Sequence, residues 1–146
     1  MALLDIAAGN GRKFALIHFA AYDSCRVDLF LPGKYTAEDK MNAAEFFLGG
    51  GTNFERPLRE AVWLMNKGDF ENADIVFIAD GEYELSEEYL HFIFDEQGNR
   101  KFSVIGVLLG SEGSSSSFSL LPFCKEVYEI NHLTEDNLVK KILEHF

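Results

Sequence analysis

Basic residues are scarce in this chain: 13 lysines and arginines face 24 aspartates and glutamates, for a formal charge of −11 over 146 residues. Such a balance works against phosphate backbones and anionic lipid surfaces, which are recognised through cations, so neither a nucleic acid nor a membrane is an expected partner. It suits metal cations or basic protein surfaces, and it equally describes an ordinary solvated acidic exterior. Cysteine is nearly absent. Cys25 and Cys124 stand far apart and match no metal or redox spacing, which points to a reduced, cytoplasmic protein. No apolar run reaches the roughly 18 residues that a membrane-spanning helix needs. The first residues, Met1 to Ile6, carry no basic stretch and no small-residue cleavage site, so no signal peptide is expected. Only three prolines punctuate the chain, and no internal repeat or composition break divides it. Residues 1–146 therefore read as one globular domain, large enough for a real core.

What is present alternates between apolar runs and amphipathic segments. Lys13 to Ala20 is almost continuously apolar, as a strand buried on both faces would be. Beyond the polar turn Tyr22-Asp23-Ser24, Val27 to Leu31 alternates and predicts an edge strand hairpinned to the first, ended by Pro32-Gly33. Thr36 caps a helix with an inner stripe of Ala37, Met41, Ala44 and Leu48, stopped by Gly49-Gly50-Gly51. A second helix begins at Thr52 or Asn53, with Glu55 placed to complete a capping box with Thr52. Its inner stripe is Phe54, Leu58, Ala61 and Met65, and Pro57 falls in its tolerant first turn.

Ile75 to Ala79 predicts another fully buried strand, closed by Asp80-Gly81. Ser86 caps a helix reaching about Gln97, and Phe102 to Leu109 predicts the next strand. The serine-rich stretch from Ser111 to Ser119 reads as a mobile loop. Glu126 to Ile130 forms a last, more polar strand, and Thr134 opens a closing helix through Leu138, Ile142 and Phe146. Buried strands alternating with amphipathic helices predict an α/β fold. The expected form is a doubly wound, mostly parallel sheet with one antiparallel edge strand and helices on both faces. Ala2 to Ala8 reads as the tail of a helix, whereas such a sheet normally starts with a strand.

In open α/β sheets, ligands gather at the carboxyl ends of strands. Two features point there. Gly49-Gly50-Gly51-Thr52-Asn53 offers close backbone approach and a hydroxyl beside a helix N-terminus; the same residues also read as a helix stop, a turn and a cap. Asp80 follows a buried strand and offers a carboxylate to a hard cation; it also reads as an Asp closing a strand into a glycine turn.

Taken together, a Gly-Gly-Thr loop before a helix and an apolar strand ending in Asp-Gly about 28 residues later resemble two loops of the von Willebrand factor type A (VWA) metal-ion-dependent adhesion site. The strand, hairpin and helix order from Lys13 onward resembles that family too, so the likeness covers essentially the whole chain. The resemblance implies Thr52 as a direct metal ligand and Asp80 as a ligand acting through water, with Mg2+, Mn2+ or Ca2+ as the cation. The texts Phe14-Ala15-Leu16-Ile17-His18-Phe19 and Gly50-Gly51-Thr52-Asn53-Phe54 look most like bacterial intracellular members, which commonly act beside MoxR-type AAA+ ATPases.

The family's Asp-x-Ser-x-Ser motif does not occur in the chain. In the family it lies on a strand just ahead of the helix whose tail is seen at Ala2 to Ala8, so the expectation is an N-terminally truncated domain with its first strand missing. The family's sheet places that strand between the strands at 13–20 and 74–79, and its loss leaves a gap of roughly 10 Å. Closure of the two strands on each other, or a domain-swapped homodimer, is expected to fill it. With Thr52 and Asp80 as the remaining ligands, metal binding by this chain alone is expected to be weak or absent.

The function implied is non-enzymatic: a protein-binding module in which a partner offers an acidic side chain to the metal. The alternative is a phosphoryl-transfer or phosphate-binding enzyme using Asp80. Against it, no acidic pair follows Ala20, the position two residues after Asp80 is Glu82, and Gly51-Thr52 lacks the lysine of a P-loop. A third reading is an oligomerising domain with a dead site. Of the remaining polar residues, His18 reads as a hydrogen-bonded core histidine, and His91, His132 and His145 as surface residues. No basic neighbourhood clearly activates Cys25 or Cys124. Glu82, Glu84, Glu87 and Glu88 read as solvated, or as an acidic rim facing a basic partner. Trp63 and the 14 phenylalanines read as core, with room for an exposed patch.

Overall fold

Apolar runs become strands and capped segments become helices, in the order α1 (Ala2–Gly9), β1 (Phe14–Phe19), β2 (Cys25–Phe30), α2 (Ala37–Glu45), α3 (Glu55–Asn66), β3 (Ile75–Ala79), α4 (Glu87–Arg100), β4 (Val104–Leu108), α5 (Ser117–Leu120), β5 (Glu126–Glu129) and α6 (Glu135–Leu143). The computed structural model describes residues 1–68, 70–80, 82–109, 117–130 and 135–145. They fall into two compact units, Met1–Phe70 and Glu71–Phe146. Among the described residues no helix is long and apolar enough to cross a membrane.

In the first unit β1 and β2 form the expected antiparallel hairpin, Phe14 opposite Phe30 and Phe19 opposite Cys25. β2 is its only strand neighbour among the described residues, so β1 residues stay partly accessible rather than buried on both faces. A core forms from Leu4 of α1, Phe30 of β2 and Ala43 of α2, with Phe14, Leu16 and Tyr35 packed on it. Thr36 caps α2 as expected, its hydroxyl accepting from Asp39 N–H while the Asp39 carboxylate accepts from Thr36 N–H. The expected inner stripe is displaced, however. Ala37, Met41 and Ala44 are exposed and Ala43 is the buried residue, because Ala43 packs into the cluster with Leu4 and Phe30; Lys40, one turn earlier, pairs with Asp5 of α1. α2 also ends at Glu45, four residues before the first glycine, where Phe46 turns extended (ψ 134°).

α3 buries Pro57, Leu58, Val62, Leu64 and Met65, and the Phe19 and Phe54 rings meet edge to face at 6.1 Å. Trp63, expected in the core, is 49% exposed. It lies off the buried stripe, and the Lys67 ammonium sits 3.5 Å from its ring centroid, a cation–π contact that suits an exposed indole.

In the second unit β3, β4 and β5 pair in parallel, Ile75 opposite Val104 and Ile105 opposite Glu126. The parallel strands and the antiparallel β2 are those expected, distributed over two sheets. β4, flanked on both sides, is buried at every position, whereas β3 has one neighbour and leaves Ile78 48% exposed. Ser86 caps α4 by accepting from Tyr89 N–H. The helix runs past Gln97 to Arg100 and ends on a left-handed Lys101 (φ 56°). Of the serine-rich stretch, residues 110–116 lie outside the described residues and Ser117–Leu120 is a helical turn. The expected cap Thr134, with His132 and Phe146, also lies outside them; α6 buries Leu138 and Ile142.

Two glycines separate packing from propensity. A Cβ on Gly106 in β4 would stand 3.0 Å from Cys124 Sγ, 3.2 Å from Val127 Cγ2 and 3.3 Å from Leu120 Cδ1, whereas one on Gly98 in α4 would meet nothing within 4 Å. Gly106→Ala is therefore expected to cost about 1–3 kcal/mol by overpacking, and Gly98→Ala to add about 0.5–1 kcal/mol by helix propensity. Urea unfolding of the two variants checks both; the reverse order would refute this packing.

Candidate functional site

The loop between α2 and α3 is tethered at both ends. At its start Phe46 takes the Arg26 guanidinium over its ring at 4.1 Å and meets the His18 ring at 5.1 Å. At its end Asn53 is buried, its N–H donating to Ala20 O at the close of β1 over 2.7 Å. Asn53 Oδ1 accepts from Arg56 N–H at 2.9 Å, which is how an N-cap satisfies an orphan amide. Phe54 stands at the N-cap position of α3 without a side-chain cap, so it is Asn53, not Thr52, that satisfies a first-turn amide, and the expected Thr52–Glu55 capping box does not form. The buried amide fits against β1, and Thr52, one residue earlier, stays exposed. Between the tethers Gly50 takes φ 96°, a conformation that L side chains rarely adopt, and Phe47 is 85% exposed.

Asp80 lies in the second unit, immediately after β3, and is exposed. The ladder closes beside it, with Leu109 N–H donating to Ala79 O at 2.8 Å. Thr52 and Asp80 thus belong to different units, each at the carboxyl side of an apolar strand or at the head of a helix. A hydroxyl and a carboxylate are each the right kind of donor for a hard cation. Among the described residues no group of three or more His, Cys, Asp or Glu side chains is placed to hold a metal.

Other polar clusters belong to the framework. His18 Nε2 faces Asp28 Oδ2 across the hairpin at 3.4 Å, and neither buried atom has a hydrogen-bond partner among the described residues. That separation is long for a hydrogen bond, so the expected hydrogen-bonded core histidine is instead a half-buried ring facing the Asp28 carboxylate. Arg26 holds the other Asp28 oxygen at 2.8 Å. Burial pulls the His18 pKa below its usual value, with Asp28 opposing the shift and Arg26 adding to it. Burial also raises both thiols: Cys25 against the lowering contact of Arg56, and Cys124 to about 12. Neither is an activated nucleophile.

His145, expected at the surface, is largely shielded, with Nε2 2.8 Å from Tyr128 Oη and 3.4 Å from Glu126. The Tyr128 hydroxyl donates to Glu126, which lowers the carboxyl pKa and raises the phenol to about 12. Periodicity could not reveal this trio, because it joins β5 to the residue just past α6. Glu82, Glu84, Glu87, Glu88 and His91 are exposed, as expected.

No protein-family profile matches the chain. It is 30% identical over 143 residues to an uncharacterized protein of Methanocaldococcus jannaschii, covering 98% of the chain and 35% of that protein. It is 32% identical over 92 residues to a second uncharacterized protein of the same organism, covering 62% of the chain and 20% of that protein. The chain thus spans about a third or less of the length of these curated relatives. Among solved structures it is similar to a von Willebrand factor type A protein from Catenulispora acidiphila, with a TM-score of 0.66 and 16% identity over 96% of this chain and 35% of that one.

The His18 shift has a sign. Its folded pKa lies below the unfolded value of 6.5, so the unfolded chain binds the proton more readily. The neutral ring's contribution is complete above that value and is lost as pH falls through it. His18→Phe is expected to flatten the loss of stability from pH 7 to 5, and the His18 NMR titration to show a midpoint below 6.5. A midpoint above 6.5 would contradict the burial seen here.

Proposed function

Because this chain has a von Willebrand factor type A-like fold, we propose that it is a non-enzymatic protein-binding module acting in the cytoplasm. The carrying observation is the likeness of fold across nearly the whole chain. It is supported by the sequence resemblance of the Gly50-Gly51-Thr52 loop and the Asp80-Gly81 strand end to adhesion-site loops. Fold alone does not fix function, but the chemistry agrees: the candidate residues are hard oxygen donors and both thiols are inert. In this reading Thr52 and Asp80 are oxygen ligands to Mg2+ or Mn2+, and a partner's acidic side chain takes an open position on the ion. A MoxR-type AAA+ ATPase is the first partner to try.

Two protein donors bind a hard divalent cation weakly, because the ion gives up hydration only for a well-populated shell. Calorimetric titration of this chain with Mg2+ or Mn2+ is therefore expected to show no tight one-to-one site. A partner that supplies a carboxylate changes this. Capture of a MoxR-type ATPase on the immobilised chain is expected in Mg2+ and to fall at least about tenfold in EDTA, in Thr52→Ala and in Asp80→Ala. Binding indifferent to the metal and to both substitutions would sink the metal-bridge reading. A tight metal site in the chain alone would sink the expectation of a partial site.

A further inference from the structure

The acidic charge is concentrated in one part of the chain. Residues 1–70 carry nine acidic and eight basic side chains, while residues 71–146 carry fifteen and five. Within the second unit α4 has a face that stays exposed among the described residues. The helix buries Tyr89 and Ile93, and Glu87, Glu88, His91, Phe94, Asp95 and Gly98 are all exposed.

Helical spacing sets their arrangement. Residues 87, 91, 94 and 98 form one outward stripe, and 88 and 95 lie beside it. Phe94 is 46% exposed on this otherwise polar stripe. One turn later Gly98 has only open space where a Cβ would be. A helical side chain covers the turn N-terminal to its own Cα, so a glycine at 98 leaves the Phe94 ring uncovered. Glycine inside a helix costs about 1 kcal/mol relative to alanine, and here no close packing requires it.

A half-exposed aromatic ring, open space one turn on at Gly98 and neighbouring carboxylates form a surface with an apolar anchor point and a charged rim, the layout of a protein-binding patch. The charge determines the class of occupant: lysine or arginine side chains match Glu87, Glu88 and Asp95, and an apolar side chain matches the ring and the open space at Gly98. We propose that the outward face of α4 docks a basic, amphipathic protein segment that seats one apolar side chain on Phe94 beside Gly98. This surface uses neither Thr52 nor Asp80 and does not depend on a divalent cation.

The test uses the whole chain in EDTA, which silences any metal bridge, with a labelled amphipathic peptide of lysine and leucine as probe and its glutamate–leucine counterpart as control. Fluorescence anisotropy is expected to show binding of the lysine peptide alone. Phe94→Ser, Gly98→Leu and the Glu88→Lys/Asp95→Lys double variant are each expected to weaken it at least about tenfold. A Glu38→Lys/Glu71→Lys variant makes the same change in net charge at exposed positions off α4 and is expected to weaken it less than about twofold. Circular dichroism melts confirm that each variant is folded. No binding by the unaltered chain, equal loss from the two double variants, or full binding by folded Phe94→Ser overturns the proposal.

Discussion

A backbone amide or carbonyl cannot be taken out of water without a partner, and this constraint orders the strands within each unit. β4 has a strand on either side and is buried at all five positions. β1 and β3 are equally apolar in sequence, yet each has one strand neighbour among the described residues and each keeps accessible side chains. Burial follows the number of partners rather than hydrophobicity. The same accounting fixes the connections. Ser103 N–H donates to Asp74 Oδ1 at 2.9 Å, Lys125 N–H to Val104 O at 2.7 Å, and Asn53 N–H to Ala20 O at 2.7 Å. The loops therefore leave their strands at defined points, and an exposed residue such as Thr52 sits one position from a fixed one.

This constraint also explains which parts of the fold were legible in the sequence. Ile75 to Ala79 and Lys13 to Ala20 were visible as strands because continuous apolar runs bounded by polar turns have few other uses. Thr36 and Ser86 were visible as caps because the residue types that satisfy orphan helix amides are few. What was not visible depends on contacts distant in sequence. Helical spacing points to Ala37, Met41, Ala44 and Leu48 as the α2 stripe, but in so short and polar a helix the buried side is chosen by the packing of Ala43 with Leu4 and Phe30. Thr52 and Asn53 are both good caps. The choice between them is made by Ala20 O, which only the fold brings near.

The candidate site divides in the same way. Thr52 and Asp80 were legible as oxygen donors at the ends of apolar segments, and their exposure is what a ligand needs. The tethering of the Thr52 loop was not legible, because Phe46 resting on Arg26 and His18 joins residues 20 and 28 positions apart. Local sequence describes what a residue can donate; the fold decides whether the loop that carries it is held. In this chain the loop is held at Phe46 and at Asn53, and the glycines between them are left free.

Local choices that work against stability stand out in a chain whose other choices favour the fold, and such conflicts gather where a protein does something besides folding. Phe47 in the tethered loop and Phe94 on α4 expose rings that burial would stabilise, by roughly 1.5–3 kcal/mol for a full side chain. Gly98 forgoes helix propensity with no neighbour to require it. Fifteen acidic side chains against five basic ones in residues 71–146 repel one another in the compact state. Solubility accounts for acidic charge alone but not for an aromatic ring left bare within it, since an exposed ring lowers solubility. A partner surface accounts for both, because charge steers its approach and the ring anchors it.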